Sequence, residues 1–174
     1  MIEENVVLVD KNDKFIGLMP KMEAHQKGLL HRAFSVFIFN DKNEIMLQKR
    51  ALNKYHSPGL WTNTCCSHPR NNESIISAGL RRLNDEMGFQ TDLKELFNFI
   101  YKESFENGLV EYEFDYVLIG SYNNSPKLNL IEAGDWKWMS LDEIKRNVEA
   151  NPNNYTAWLK IIINDFFEKF KFLL

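Results

Sequence analysis

The residues of this chain best able to do chemistry fall in a few short stretches. "WTNTCCSHPRNNES", residues 61 to 74, holds both cysteines, Cys65 and Cys66, with His68 two places further on. "EAHQKGLLHRAF" supplies His25 and His31, "KYHSPG" supplies His56, and "LVEYEFDYV" supplies Glu111 and Glu113. Two residues apart on a strand, Glu111 and Glu113 share one face while Tyr112, Phe114 and Tyr116 take the other. Like charges on one face repel, so either that face is solvated or a cation sits between them. A carboxylate pair with imidazoles nearby makes a mixed nitrogen and oxygen site suited to Zn2+, Mn2+ or Mg2+. His25 and His31 do not stack on one helical face, but Gly28 between them lets the chain leave a helix so that both rings converge. Taken singly, each has an ordinary explanation: a hydrogen-bonded histidine, a small buried cysteine, a solvated acidic face.

The elements that must position these groups follow from pattern. "NVVLVDKNDKFIGLMPK" reads as two short strands around "DKND", and "MEAHQKG" as a brief helix stopped by Gly28. "HRAFSVFIFNDKNEIMLQKR" gives two strands joined at "NDKNE", which read as a hairpin. From Glu73 to Glu86, apolar Ile75, Ile76, Leu80 and Leu83 with Gly88 beyond predict an amphipathic helix. Strands follow at "LFNFIYKES" and "LVEYEFDYVLIGSY", a capping box at Ser140 and Glu143, and a last helix over Thr156 to Phe172. Strands interspersed with helices predict an α/β (α+β) fold, a mixed β-sheet sandwiched between helices.

With 174 residues and 44% hydrophobic content, residues 1–174 suit a single domain with one well-buried core. A net charge of -3 without a basic stripe gives no reason to expect nucleic acid as partner. No apolar run approaches the ~18 residues of a membrane span, and "MIEENVVLVD" has no leader-like character, so no membrane partner and a cytoplasmic location are expected. Adjacent cysteines rarely bridge, and free thiols fit a reducing compartment. A small anionic ligand and a monomer or weak homodimer remain the expected partners.

"SHPRNNESIISAGLRRLNDEMGF" resembles the Nudix signature. Ser67 stands at its first glycine, Glu73 at its first acid, Arg81 at its arginine, Glu86 at its last acid, with Gly88 and Phe89 closing it. Arg82 and Asp85 replace two of its glutamates. Those acids gather Mg2+ for diphosphate hydrolysis, so an arginine among them argues against hydrolysis and for holding a phosphate. With "WTNTCCSHP" before it and "EYE" after it, the box resembles type 1 isopentenyl-diphosphate isomerases, a Nudix-fold family of isoprene biosynthesis, from about Val6 through "YTAWLK".

The resemblance implies interconversion of isopentenyl and dimethylallyl diphosphate, by protonation at one alkene carbon and deprotonation across the allyl unit. It implies catalytic roles for Cys66, Glu113 and Tyr101, the first two on opposite sides of the substrate. An unperturbed thiol, with its pKa near about 8.5, is mostly protonated at neutral pH. It implies a Zn2+, Mn2+ or Mg2+ ion on His25, His31, His68, Glu111 and Glu113, and a second, diphosphate-bound Mg2+ held by Glu86 with the Cys66 carbonyl nearby. Lys21, Arg50, Lys54 and Arg82 match the residues that grip the diphosphate, and Trp158 the indole that covers the carbocation, worth about 2 kcal/mol. Cys65 is expected in the core, since neighbours on a strand face opposite ways; Trp61 is pocket wall or core, and His56 has no assigned role. The rival readings are a Nudix diphosphate hydrolase, which needs the acids that Arg82 and Asp85 interrupt, and a non-catalytic diphosphate-binding module, which leaves Cys66 and Glu113 unexplained.

Overall fold

The computed structural model describes residues 4–171. Its axis is β3 (His31–Phe39), whose sequence HRAFSVFIF is apolar almost throughout because both of its faces are covered. Along one edge β3 pairs in parallel with β8 (Val110–Ser121), from His31 opposite Glu113 to Phe39 opposite Ser121. Its other edge is shared by three strands in turn. β1 (Asn5–Val9) meets it at His31, β6 (Cys65–Ser67) at Phe34 to Val36, and β4 (Glu44–Arg50) only at Phe39. β2 (Phe15–Pro20) pairs with β1, as the sequence predicts. β5 (Trp61–Thr62) and β9 (Ala133–Ser140) pair with β4, and β7 (Lys94–Ser104) with β8.

The hairpin expected of β3 and β4 is thus reduced to a single pair, Phe39 opposite Ile45. Thr64 is the physical reason. Its backbone N–H donates to the Val36 carbonyl at 3.0 Å. Its hydroxyl accepts from the Ile38 N–H at 3.0 Å and donates to the Met46 carbonyl at 2.6 Å. One buried threonine therefore bridges both strands and opens the space into which β6 fits.

α2 (Ile75–Met87) covers one face of the sheet, with Leu83 and Met87 packed among Phe34, Val36, Ile38 and Met46. It starts at an N-cap on Ser74, whose hydroxyl accepts from Ser77 N–H at 3.1 Å, and ends at Gly88 with φ 71°. A β-carbon at Gly88 would lie 2.4 Å from the Lys127 carbonyl oxygen, so close approach as well as conformation requires glycine there. α1 (Lys21–Lys27) is the expected brief helix and stops at Gly28, φ 60°.

α3 (Leu141–Ala150) carries the predicted Ser140–Glu143 capping box and covers the opposite face with α4 (Ala157–Asp165) and α5 (Phe167–Lys171). The single helix expected there is two, because Phe166 leaves the helical region at φ -123°. The break lets Phe166 stack on Phe97 while Phe167 and Phe170 stay in the core. Phe172, the expected end, lies outside the described residues. Helices on both faces of a mixed sheet are the architecture the sequence predicts.

Candidate active site

Strand pairing decides which thiol is available. Cys66 lies opposite Ser35 and therefore shares its face, as do His31, Glu113 and Glu111 along β3 and β8. Cys65 points the other way, fully buried against α2. Cys66 is only half-buried and lines a cavity, partly open to solvent, that Glu113, Glu111 and Tyr101 also line. Burial raises the Cys66 thiol well above its ordinary value, opposed by Arg50 and reinforced by Glu86, Glu111 and Glu113, so it holds its proton at neutral pH. Cys66 and Glu113 thus sit on the two strands flanking β3, and both face one space.

Three histidines and one carboxylate converge beside them. His25 at the end of α1, His31 at the start of β3, His68 just after β6 and Glu113 on β8 place one donor atom each within 4.8 Å of one another. Gly28 turns the chain between the first two, whose ring centroids are 4.9 Å apart. Nδ1 of His25 contacts the Lys21 carbonyl at 2.6 Å and Nδ1 of His31 the Leu29 carbonyl at 2.7 Å. With the Nδ1 proton given to the backbone, each Nε2 presents a lone pair inward, and both Nε2 atoms are buried without a partner. His68 Nε2 and Glu113 Oε1 meet at 3.0 Å within this cluster. Burial lowers His25, and lowers His68 to about 3, so these imidazoles are neutral, as ligation requires. Orphaned buried nitrogens around a carboxylate suit a divalent metal ion.

Glu111 is not part of that four-donor cluster. Its Oε1 lies 3.1 Å from His56 Nε2, and its Oε2 accepts from the Tyr101 hydroxyl at 2.9 Å. The same hydroxyl donates to Glu113 Oε2 at 2.7 Å. Burial and the neighbouring Glu113 charge raise Glu111 well above the usual carboxylate range. Burial would raise Glu113 also, but its contact with His68 at 3.0 Å and the neighbouring His31 ring outweigh it and hold that carboxylate low. The two carboxylates are therefore pushed in opposite directions around a single phenol.

Two further side chains stand beside these groups. His56 is buried, stacks on Phe105 at 5.1 Å between centroids, and meets the Trp158 ring edge-on at 5.8 Å. It comes from the loop between β4 and β5, where no periodicity announces a direction. Asp115 is buried on the same face as Glu111 and Glu113, with Oδ2 accepting from Ser35 Oγ at 2.8 Å. The acid two places beyond Glu113 was the available signal.

Lys21, Arg50, Lys54 and Arg82 line the same cavity. Arg50 spends two donors on its own loop, to the carbonyls of Ser57 at 3.2 Å and His56 at 3.1 Å, and lies 5.3 Å over the Trp158 ring. The indole N–H of Trp158 is anchored to Thr62 Oγ1 at 2.8 Å. Arg82 grips Glu86 Oε1 through Nη2 at 2.7 Å, and Gln48 Nε2 donates to Glu86 Oε2 at 2.8 Å. Trp61 is half-buried against the α3–α5 core, with Lys137 4.1 Å over its ring. Among the described residues no helix is long and apolar enough to cross a membrane.

A sheet between helices, with a glutamate-bearing helix beside a cationic cavity, defines a class, and the chain belongs to the NUDIX domain family, which matches residues 29–159. In fold it is similar to a crystal structure of a Deinococcus radiodurans protein, with a TM-score of 0.77, 15% identity and coverage of 92% of this chain and 97% of that one. It is likewise similar to the MutT protein of Methanosarcina mazei Go1, with a TM-score of 0.66, 21% identity and coverage of 83% and 94%. Sequence narrows the class. The chain is 50% identical to Isopentenyl-diphosphate Delta-isomerase 2 of Aromatoleum aromaticum over 91% of its own length and 84% of the relative's. It is 50% identical to the protein of the same name in Photorhabdus laumondii subsp. laumondii over 94% and 92%. Within the NUDIX family it stands with the isopentenyl-diphosphate Delta-isomerases.

Proposed function

We propose that this protein interconverts isopentenyl diphosphate and dimethylallyl diphosphate, with Cys66 and Glu113 as the two groups that move protons. The observation that carries this reading is one cavity lined by a protonated thiol, an ionised carboxylate and four cationic side chains. A proton adds to the terminal alkene carbon, and the resulting tertiary cation loses a proton from the carbon nearer the diphosphate. Nothing is oxidised or reduced overall. By microscopic reversibility, the group that gives a proton in one direction takes it in the other. Tyr101 holds Glu113 in place, and Trp158 with His56 walls the allyl unit from water.

Lys21, Arg50, Lys54 and Arg82 grip the diphosphate, and a Mg2+ ion held by Glu86 shares its charge. His25, His31, His68 and Glu113 hold a second ion, Zn2+, Mn2+ or Mg2+, with Glu111 as a further ligand once released from His56. When bound, that ion sets the orientation and basicity of Glu113. Hydrolysis is disfavoured because Arg82 and Asp85 stand where the Nudix box has two of its metal-gathering glutamates.

Purified protein incubated with isopentenyl diphosphate and Mg2+ tests the reading. Isomer without phosphate release is expected. Release of orthophosphate or pyrophosphate would make the protein a hydrolase, and binding without turnover would make it a receptor.

A further inference from the structure

Glu132 lies outside every group assigned above, yet its carboxylate meets two of the four cradle cations. It forms an ion pair with Lys54 Nζ, and its Oε1 lies 3.1 Å from Arg82 Nη2. It is not among the residues that line the cavity with Lys54 and Arg82. The backbone fixes it there. The Glu132 N–H donates to Asn129 carbonyl oxygen at 2.9 Å, Asn129 N–H to Glu86 carbonyl oxygen at 2.9 Å, and Ala51 N–H to Glu132 carbonyl oxygen at 3.0 Å. A loop tied to both α2 and the end of β4 thus delivers one negative charge to Lys54 and Arg82.

We infer that Glu132 tempers the diphosphate cradle, drawing on Lys54 and Arg82 so that they hold a diphosphate less tightly and let either isomer leave. This rests on the cradle reading above. Both isomers carry the same diphosphate, so grip on that group is uniform binding. It lowers KM without lowering the barrier between bound isomers, and in excess it makes release the slow step. Arg82 already gives Nη2 to Glu86, and Glu132 draws on the same nitrogen. Lys54 keeps two of its three ammonium protons for a ligand. The cradle is therefore attractive without being saturating.

Glu132→Gln keeps the side chain's size and one acceptor oxygen while removing the charge. Calorimetric titration with inorganic diphosphate in the presence of Mg2+ is expected to show about tenfold tighter binding, an effect of ~1.4 kcal/mol. KM for isopentenyl diphosphate should fall in step while kcat fails to rise. Glu132→Asp, which withdraws the carboxylate by one methylene, should shift binding in the same sense by less, and decides the matter if the glutamine variant does not fold. Unchanged or weaker diphosphate binding in a folded variant would overturn the inference and leave Glu132 as a clamp that merely positions Lys54 and Arg82. Wild-type protein that does not bind diphosphate at all would remove the cradle itself, and this inference with it.

Discussion

Tyr101→Phe removes one oxygen from the centre of the site. The phenol is buried, and its hydroxyl lies 2.7 Å from Glu113 and 2.9 Å from Glu111. One hydroxyl proton cannot serve two acceptors fully, so the shorter bond, to Glu113, takes the larger share of it. A hydrogen bond to a charged group is worth about 1.5 to 3 kcal/mol, which converts to a loss of roughly tenfold to 150-fold in kcat if the bond holds Glu113 in its reactive orientation. Proton exchange into substrate in deuterated water, followed by NMR, reads that step directly. Bound metal should stay constant, because Tyr101 is not among the four clustered donors. A folded variant with kcat within about twofold of wild type would refute the reasoning, since Glu113 would then be held by the histidines alone.

Cys66→Ala should abolish isomerisation whereas Cys65→Ala keeps most of it, with steady-state rates as the measure; equal losses would deny Cys66 its special place. His31→Ala should lower the bound divalent metal found by elemental analysis, and unchanged stoichiometry would remove His31 from the cluster. Glu73 accepts from Arg81 Nε at 2.7 Å and Nη2 at 2.8 Å, and Arg81 foremost holds it below the usual carboxylate value of 4.5. A folded-state value below the unfolded one stabilises the protein above pH ~4.5, and that contribution is lost as pH falls through the folded value. Glu73→Gln should therefore cost about 1 kcal/mol, or about 2 to 4 °C in Tm, at neutral pH, with the difference from wild type vanishing in acid-denaturation curves. A gap that persists at low pH would point to packing rather than charge.

Where residues sit in strong local patterns, the sequence was readable. The turn after "NVVLV", the stop at Gly28, the capping box at Ser140 and the facing of Glu111 with Glu113 are local events with short-range causes. The pairing of β3 was not, because it depends on Thr64, far along the chain, reaching both β3 and β4. The break at Phe166 was hidden for a related reason, since which aromatic ring reaches which pocket is settled by Phe97 across the sheet. The cavity cations and the four clustered His and Glu side chains are expected through resemblance, and the structure brings them into one place. His56 and Glu132 lie in irregular loops, where side-chain direction is set by distant hydrogen bonds rather than by period. Asp115, two places beyond Glu113, falls on the same face by the same alternation.

The way β3 is clasped along both margins has a consequence for how such an enzyme diversifies. Because the sulfur and the carboxylate ride on separate ribbons stitched to one common ribbon, their separation is quantised. Sliding either ribbon while keeping its side chains on the same face moves it by two residues, about 6.6 Å, longer than the few bonds between the reacting carbons. Accommodation of bulkier hydrocarbon tails must therefore come from trimming the walls, at residues such as His56 and Trp158, and not from stretching the frame.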